Sequence, residues 1–366
     1  MVYRAIGVMS GSSLDGLDIA CVEFETSGGR WKMQVLAACC EPYTEEWTEK
    51  LRSSTKLAAR DYLLLHSEYG HYIGKALNRF IDAHELQYRV GLISSHGHTS
   101  FHLPPMMTGQ LGCGAAIAAE TGLPVVNELR AMDLAFGGQG APIVPMGEKM
   151  LWGDHAFFLN IGGIANVSWT RPDGSVAFDI CPANRVLNML AAKLGQAYDA
   201  GGAIAASGKL HQALLAQLNN LPYYGKPYPK SLANDFGTET VYPLLGNSGV
   251  ADTADLMRTY VEHIAQQTRR AMLMMLSSGG LTHAGNQRMM VTGGGAFNHF
   301  LVQRIAQMLE PLGIVAEAAE PNLVNYKEAI VMAFLGVLRW REEPTVFSSV
   351  TGAREDSVGG ALWKPR

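Results

Sequence analysis

Charge is scarce in this chain: 17% of its 366 residues are Asp, Glu, Lys or Arg, where about 25% is usual. With 48% apolar residues, that scarcity excludes a disordered or solvating chain and predicts a large buried core. The 29 Lys and Arg stand against 33 Asp and Glu, a formal net charge of -4. No basic footprint for nucleic acid or an anionic membrane results, so small polar molecules remain as partners. Only five cysteines are present, odd in number and without a CxxC pair, which suits a reducing compartment. They are expected as small buried residues, with Cys181 nearest to possible chemistry. No run approaches the roughly 20 apolar residues that span a bilayer. The opening MVYRAIGVMSGSSLDG has too short an apolar run for a signal peptide. A soluble cytoplasmic protein is the expectation. Three motifs are also missing. There is no GxxxxGK[ST], GGGAFN lacks the spacing of GxGxxG, and no GxSxG occurs, which disfavours P-loop NTPases, Rossmann dehydrogenases and serine hydrolases.

Glycine is plentiful, at 40 residues against a usual share of about 7%. Much of the excess lies in clusters at the ends of apolar runs: Gly11 to Gly16, Gly137 to Gly140, Gly162 and Gly163, and Gly293 to Gly295. Such clusters mark turns that reverse the chain or cradle a ligand. Residues 5–9 and 17–24 predict two strands joined by Ser10-Gly11-Ser12-Ser13-Leu14-Asp15-Gly16. Taken alone, that turn is better explained by an ordinary hairpin. The pattern recurs: residues 157–160 run into Ile161-Gly162-Gly163-Ile164, and 165–170 return. The recurrence predicts a weak internal repeat in which two hairpins hold a polyphosphate through backbone N–H groups and hydroxyls. A third strand, 288–292, passes through the glycines at 293–295 to a helix over 298–309, a strand-to-helix turn suited to an anion.

A length well above the roughly 150 residues of one domain predicts two. Helices are expected over 61–81, 115–121, 183–194, 252–276 and 327–340, with strands over 90–94, 123–127 and 176–178. Alternating strands and helices give an α/β architecture, read as two lobes clasping a nucleotide in a cleft. Residues 198–207 and 221–236 are expected as surface loops. Asp179, placed at the end of its strand, is a candidate base or metal ligand, or else a cap for the next helix. Glu328 falls in the first turn of its helix, where a carboxylate also favours the helix dipole. His96, His98 and His102 lack an acidic partner in sequence, so hydrogen-bonded structure or a substrate contact is favoured over metal.

In these motifs the chain resembles the anhydro-N-acetylmuramic acid kinases, members of the actin-like, sugar-kinase and Hsp70 superfamily. The resemblance runs through Gly7-Val8-Met9-Ser10-Gly11-Ser12-Ser13-Leu14-Asp15-Gly16-Leu17-Asp18 and Ser95-His96-Gly97-His98-Thr99. It continues through Gly137-Gly138-Gln139-Gly140-Ala141-Pro142, Leu159-Asn160-Ile161-Gly162-Gly163-Ile164-Ala165-Asn166, Pro229-Lys230-Ser231, Thr292-Gly293-Gly294-Gly295 and Ser349-Val350-Thr351-Gly352-Ala353. It implies a two-lobed actin-like ATPase fold, built of duplicated ribonuclease H-like domains, with nucleotide in the interdomain cleft. Residues 1–140 with 345–366 would form the lobe with sugar-side loops, and 141–344 the lobe with adenine- and phosphate-binding motifs. The implied reaction uses ATP, Mg²⁺ and water to open the 1,6-anhydro bridge and phosphorylate O6, giving N-acetylmuramic acid 6-phosphate and ADP in cell-wall recycling. By the same resemblance Asp179 activates the water. Gly11, Ser12, Ser13, Asp15, Gly16 and Asp18, with Gly162, Gly163, Asn166, Gly293, Gly294 and Gly295, would hold Mg-ATP. His96, Thr99, Arg130, Asp133, Gln139 and Glu328 would line the sugar side, with Arg130 facing the lactyl carboxylate. The metal ligands are not assigned, and a homodimer is the expected assembly.

The chain departs from the family pattern where Asp179-Ile180-Cys181-Pro182-Ala183-Asn184 replaces Asp-Thr-Gly-Pro-Gly-Asn. It also has Ser12 in place of Thr and His98 in place of Gln. Loss of two glycines beside the base is expected to reshape the pocket. Two alternatives stand beside the main reading: a kinase of a related sugar that needs no ring hydrolysis, and a non-catalytic nucleotide sensor on the same fold.

Overall fold

The computed structural model describes residues 1–11, 13–171, 174–228, 230–233 and 235–365. Ser12 and Pro229, both in motifs named above, lie outside the described residues. The chain divides into two compact units, Met1–Gly153 with Tyr326–Arg366, and Asp154–Asn325. In chain order the first unit contributes β1 (Val2–Ser10), β2 (Gly16–Ser27), β3 (Arg30–Pro42), β4 (Leu92–Leu103), β5 (Met107–Leu111) and β6 (Val125–Asn127). The second contributes β7 (Phe157–Ile161), β8 (Ile164–Arg171), β9 (Gly174–Pro182), β10 (Gln287–Thr292) and β11 (Ile314–Ala318), and β12 (Ala361–Trp363) returns to the first.

The two sheets repeat one plan. In the first unit the order is β12-β6-β4-β1-β2-β3, with β5 beside β4. In the second it is β11-β10-β7-β8-β9. Each therefore begins with three strands in an antiparallel meander and adds two parallel strands beside the first. The recurrence of strand, glycine turn, strand in the sequence is thus a recurrence of topology, and the α/β expectation holds. Among the described residues no helix is long and apolar enough to cross a membrane.

Side-chain alternation along β1 explains how the first unit is layered. Ile6 and Val8 face one core, where the helix Ala59–Ala83 packs Leu65, Tyr69, Ile73 and Leu77 at four-residue intervals. Gly7 faces the other way, toward the helix Pro321–Trp340. A Cβ at Gly7 would lie 1.8 Å from the Ala329 carbonyl oxygen and 2.5 Å from the Ala333 nitrogen. Only glycine permits that approach. Phe334 of the same helix packs on Phe24 and edge-on to Trp31. In the second unit Leu159, Ile161 and Val167 meet Met257, Tyr260 and Ile264 of the helix Thr253–Ser278.

Several sequence expectations need correction. The strand expected at 90–94 is β4, which starts at Leu92 and runs on to Leu103, so His96 to Thr99 lie inside it. Asp179 likewise sits within β9 rather than at its end. The helix expected from residue 327 begins at Pro321 and leaves helical geometry at Tyr326. Residues 221–236 are not simply a surface loop, because Tyr223, Tyr224 and Leu232 are buried in the second core. Residues 198–207 contain the short helix Ala203–Ser207. The cysteines are not uniformly buried either, since Cys40 is exposed on β3.

Gly7→Ala is expected to cost about 1–3 kcal/mol, the usual penalty of overpacking a filled interior. Gly91→Ala is the control, because its Cβ would find only Arg4 oxygen at 3.7 Å. Thermal unfolding should show a lowered Tm for Gly7→Ala alone; equal Tm values for the two variants would refute the packing argument.

Candidate active site

In the first unit, the turn between β1 and β2 is closed by the Leu14 N–H donating to Gly11 oxygen at 3.4 Å, with Leu14 at φ 59°. The Ser13 hydroxyl donates to Asp15 Oδ1 at 2.7 Å. Gly16 is required by crowding, because a Cβ there would lie 2.6 Å from both Cys40 Sγ and Glu41 oxygen. Two residues further along β2, burial raises the Asp18 carboxyl to about 6, against a lowering hydrogen bond from Cys40, with Asp15 and Glu328 adding repulsion. Asp18 thus feels the charges of Asp15, in the same hairpin, and of Glu328, on the helix that Gly7 admits.

The register of β4 against β1 slips between Val8 and Ser10: Val8 pairs with Ser95, whereas Ser10 pairs with His98. One extra β4 residue is accommodated at this bulge, where Gly97 takes φ 72°. His96 is buried beside it. Its Nδ1 lies 2.9 Å from Gly97 oxygen and its Nε2 lies 2.9 Å from Arg130 Nε. A carbonyl oxygen can only accept and a guanidinium can only donate, so His96 is neutral with its proton on Nδ1. Burial, with the Arg130 charge next, lowers its pKa from 6.5 to about 3. Arg130 also donates through Nη1 to Gly140 oxygen at 2.6 Å. Its Nη2 has no hydrogen-bond partner among the described residues. Burial lowers Arg130 to about 10 against the opposing pull of Glu328 and Asp133, and it remains a cation at neutral pH.

Asp133 is fully enclosed. Its Oδ2 accepts from the Gly140 N–H at 2.7 Å and its Oδ1 from the Thr351 hydroxyl at 2.6 Å. A Cβ at Gly138 would lie 2.3 Å from Asp133 Oδ2. The carboxylate therefore clamps the glycine-rich 137–140 loop to the C-terminal segment, and the Gln139 N–H reinforces this by donating to Thr351 oxygen at 2.9 Å. The Gln139 side chain is exposed and Thr99 is half-buried, with Gln110 Nε2 3.4 Å from its hydroxyl.

In the second unit, Asp179 is half-buried on β9. Its Oδ2 accepts from the Leu232 N–H at 2.8 Å, and its backbone oxygen accepts from the Tyr223 hydroxyl at 2.7 Å. Both partners come from the 221–236 segment, so the carboxylate does not cap the Asn184–Ala192 helix. Its Oδ1 has no hydrogen-bond partner among the described residues. Burial raises its pKa above 3.8, opposed by the Leu232 hydrogen bond. Asn166 pairs with Asp179 across the sheet, and the next pair is Ala165 with Cys181. Ile180 is thus the extra residue of a second bulge. Ile180, Cys181 and Ala183 are all buried in the second core, and Ile180 also borders a small cavity with Tyr224 and Lys230. Ala183 has φ -131° and ψ -102°.

The Gly162-Gly163 turn is wired to the following helix: Gly163 oxygen accepts from the Ala183 N–H at 2.8 Å and Gly162 oxygen from the Asn184 N–H at 3.0 Å. Gly293, at φ 77°, leaves no room for a Cβ, which would lie 2.6 Å from Asn160 Oδ1. Gly295 packs as tightly, its Cβ position 2.3 Å from Ile161 Cγ2, whereas Gly294 is 3.5 Å from Asn184 Nδ2. Gly294 and Gly295 border a cavity of about 350 Å³ that is also lined by Asn184, Asn188, Tyr198, Asp199, Asn298 and Asn325. None of those six was in the set expected from sequence. A signal was available in Gly201-Gly202, at φ 66° and 81°. Gly202 abuts the Asn298 side chain, where a Cβ would lie 2.1 Å from Oδ1. Among the described residues no three His, Cys, Asp or Glu side chains are grouped to hold a metal.

The protonation state of His96 is testable. Its ordinary pKa of 6.5 falls to about 3 on folding, so between these values the unfolded chain binds a proton that the folded chain refuses. Stability contributed by neutral His96 is complete above 6.5 and is lost as pH falls toward 3. In His96→Gln, the amide can accept from Arg130 and donate to Gly97 without titrating. Calorimetry should find that its Tm falls less steeply with acidification across that window. Parallel Tm curves would contradict a buried neutral imidazole.

The sequence profile for "Anhydro-N-acetylmuramic acid kinase" matches residues 3–365. A relative of that name from Shewanella amazonensis is 32% identical over 370 residues, covering 97% of each chain. One from Xanthomonas oryzae pv. oryzae is 33% identical over 372 residues, covering 98% of this chain and 96% of its own. Among solved structures, the activator of the 2-hydroxyisocaproyl-CoA dehydratase from Clostridium difficile with bound ADPNP has a TM-score of 0.41 at 13% identity. It covers 90% of this chain and 94% of its own, a likeness too slight to bear on mechanism. Matched along nearly its whole length by the profile and by full-length relatives, the chain belongs to the anhydro-N-acetylmuramic acid kinase family.

Proposed function

We propose that the chain uses ATP and water to convert 1,6-anhydro-N-acetylmuramic acid to N-acetylmuramic acid 6-phosphate and ADP. Family membership supports the sugar kinase activity and its use of ATP. The observation that carries the mechanism is the state of Asp179: one oxygen held by the Leu232 N–H, the other without a protein partner, and a proton affinity raised by burial. A carboxylate so held can take a proton from water while its orientation stays fixed. The water oxygen attacks the anomeric carbon, the bond from that carbon to O6 breaks, and the freed O6 takes the γ-phosphoryl group. Asp179 keeps the water proton, and ADP leaves with the electron pair of the broken phosphoanhydride bond.

Phosphoryl transfer asks a protein mainly for position and charge neutralisation. On this reading the Gly293 to Gly295 turn and the adjoining cavity hold the nucleoside side of ATP, with Asn184, Asn188 and Asn325 added to the expected set. Gly162, Gly163 and the hairpin from Gly11 to Asp18 supply phosphate contacts. Mg²⁺, when bound with ATP, supplies charge neutralisation of the triphosphate. Asp18 and Asp15 would hold it, since the raised pKa of Asp18 marks buried negative charge that a cation relieves. Arg130, with its free Nη2, takes the sugar carboxylate, while His96 and Asp133 fix Arg130 and its loop.

Asp179→Asn should lower kcat by about 10²- to 10⁴-fold while affinity for a non-hydrolysable ATP analogue stays unchanged. Near-normal turnover would remove Asp179 from the mechanism. In the wild type, activity is lost as pH falls through the Asp179 pKa, so the acid limb of kcat/KM lies above the ordinary 3.8.

Isotope placement separates this reaction from a plain sugar kinase. In ¹⁸O-water, rapidly trapped product should carry the label at the anomeric carbon and none in phosphate. An intact anhydro bridge with phosphate on another hydroxyl would overturn the hydrolytic step.

A further inference from the structure

His98 has no part in the mechanism above, yet it ends a buried chain of hydroxyls. Tyr43 OH donates to Ser10 Oγ at 2.7 Å, and Tyr43 and Tyr69 hydroxyls lie 2.6 Å apart. Ser10 Oγ lies 3.2 Å from His98 Nδ1. Donor accounting orders the chain. The Tyr43 proton is spent on Ser10, so Tyr43 accepts from Tyr69. Ser10 in turn must place its own proton; the Tyr69 hydroxyl also touches Ser10, but it already gives its proton to Tyr43, and His98 Nδ1 is the acceptor that meets Ser10 Oγ at 3.2 Å. An imidazole that accepts at Nδ1 carries its proton at Nε2. Burial lowers the His98 pKa, which keeps the ring neutral.

Nε2 has no hydrogen-bond partner among the described residues, and it is absent from their fully enclosed unpaired atoms. It therefore reaches the surface as a single, oriented, uncharged donor. His98 is 7% exposed and close enough to His96 to bear on its protonation. His96 in turn holds Arg130. A neutral N–H donor thus stands in the same cluster as a guanidinium with a free nitrogen, a pair suited to a ligand that carries both a carboxylate and an uncharged oxygen.

We propose that His98 Nε2–H donates a hydrogen bond to an uncharged oxygen of the sugar, a hydroxyl or amide carbonyl, and that Tyr69, Tyr43 and Ser10 are positioning residues that set its tautomer. This contact presupposes the anhydro-sugar kinase activity proposed above. Because Ser10 immediately precedes Gly11, the chain also joins the sugar contact to the root of the hairpin turn.

The test uses the full-length enzyme with 1,6-anhydro-N-acetylmuramic acid and ATP. His98→Phe, which has no donor, should raise the sugar KM about tenfold, the cost of leaving one partner unpaired, with the ATP KM unchanged. His98→Gln, which keeps an amide donor, should stay near wild type. Tyr43→Phe releases Ser10 to accept from Nδ1–H, so it should raise the sugar KM in the wild-type background and not in the His98→Gln background. Long-range ¹H–¹⁵N spectra should show His98 protonated at Nε2 in the wild type and at Nδ1 in Tyr43→Phe. An unchanged sugar KM in folded His98→Phe, or a wild-type ring protonated at Nδ1, overturns the inference. Should His98→Phe fail to fold, the Tyr43→Phe comparison and the spectra decide. A wild-type enzyme that fails to phosphorylate the anhydro sugar sinks the functional reading instead, and is told apart because the tautomer is read without turnover.

Discussion

Both sheets break register beside the residues to which chemistry is assigned. A regular strand alternates faces, so every side chain in it is committed either to one layer or to the other. One extra residue releases that commitment locally. In β4 the bulge at His96 and Gly97 lets His96 turn to Arg130 while His98 pairs with Ser10. In β9 the extra residue is Ile180, which is buried, while Asp179 before it keeps an oxygen free. The bulges allow reactive groups to be carried inside strands, where the backbone is held by strand pairing, from β1 and β5 at His98 and from β8 at Asp179, instead of on loops.

Once placed, these groups owe their properties to burial. The same desolvation keeps His96 neutral and strengthens the hold of Asp179 and Asp18 on protons. Arg130 remains charged because acceptors at Gly140 and His96 and the nearby carboxylates of Asp133 and Glu328 compensate it. Arg130 and Asp179 are each satisfied on the protein side and left open on one edge. Such half-open valence gives a site orientation without a covalent or metal tether.

The strands β1, β2, β7 and β8 were legible because apolar runs flank glycine turns, and the helix Ala59–Ala83 because its apolar residues recur at helical spacing, whereas β3 was not read from the sequence at all. The nearness of Asp18 to Glu328 was not legible, since 310 residues separate them and their elements meet through tertiary packing, at Gly7 and between Phe24 and Phe334. Bulges are equally silent in a pattern of apolar residues: a β4 that extends past Ser95 and a β9 that extends past Asp179 look like strands that stop. Tyr223 and Tyr224 were hidden for the opposite reason. Their Pro- and Gly-rich surroundings resemble a solvent loop, while their rings fill the core behind Asp179. Asp179 and the glycine turns at 162–163 and 293–295 were singled out by their places at strand ends, whereas Arg130 was named from motif resemblance alone.

The departures at Ile180, Cys181 and Ala183 follow from the same geometry. A glycine is indispensable where φ is positive or where a Cβ would collide, as at Gly97 and Gly293. Neither condition holds at Ala183, and Cys181 fits its methylene and sulfur into the second core. What the site asks of this stretch is one inserted residue between Asp179 and the pairing of Cys181 with Ala165. Any buried apolar side chain of suitable volume can supply the insertion, so the motif can drift at these positions while Asp179 and Asn184 keep their hydrogen bonds.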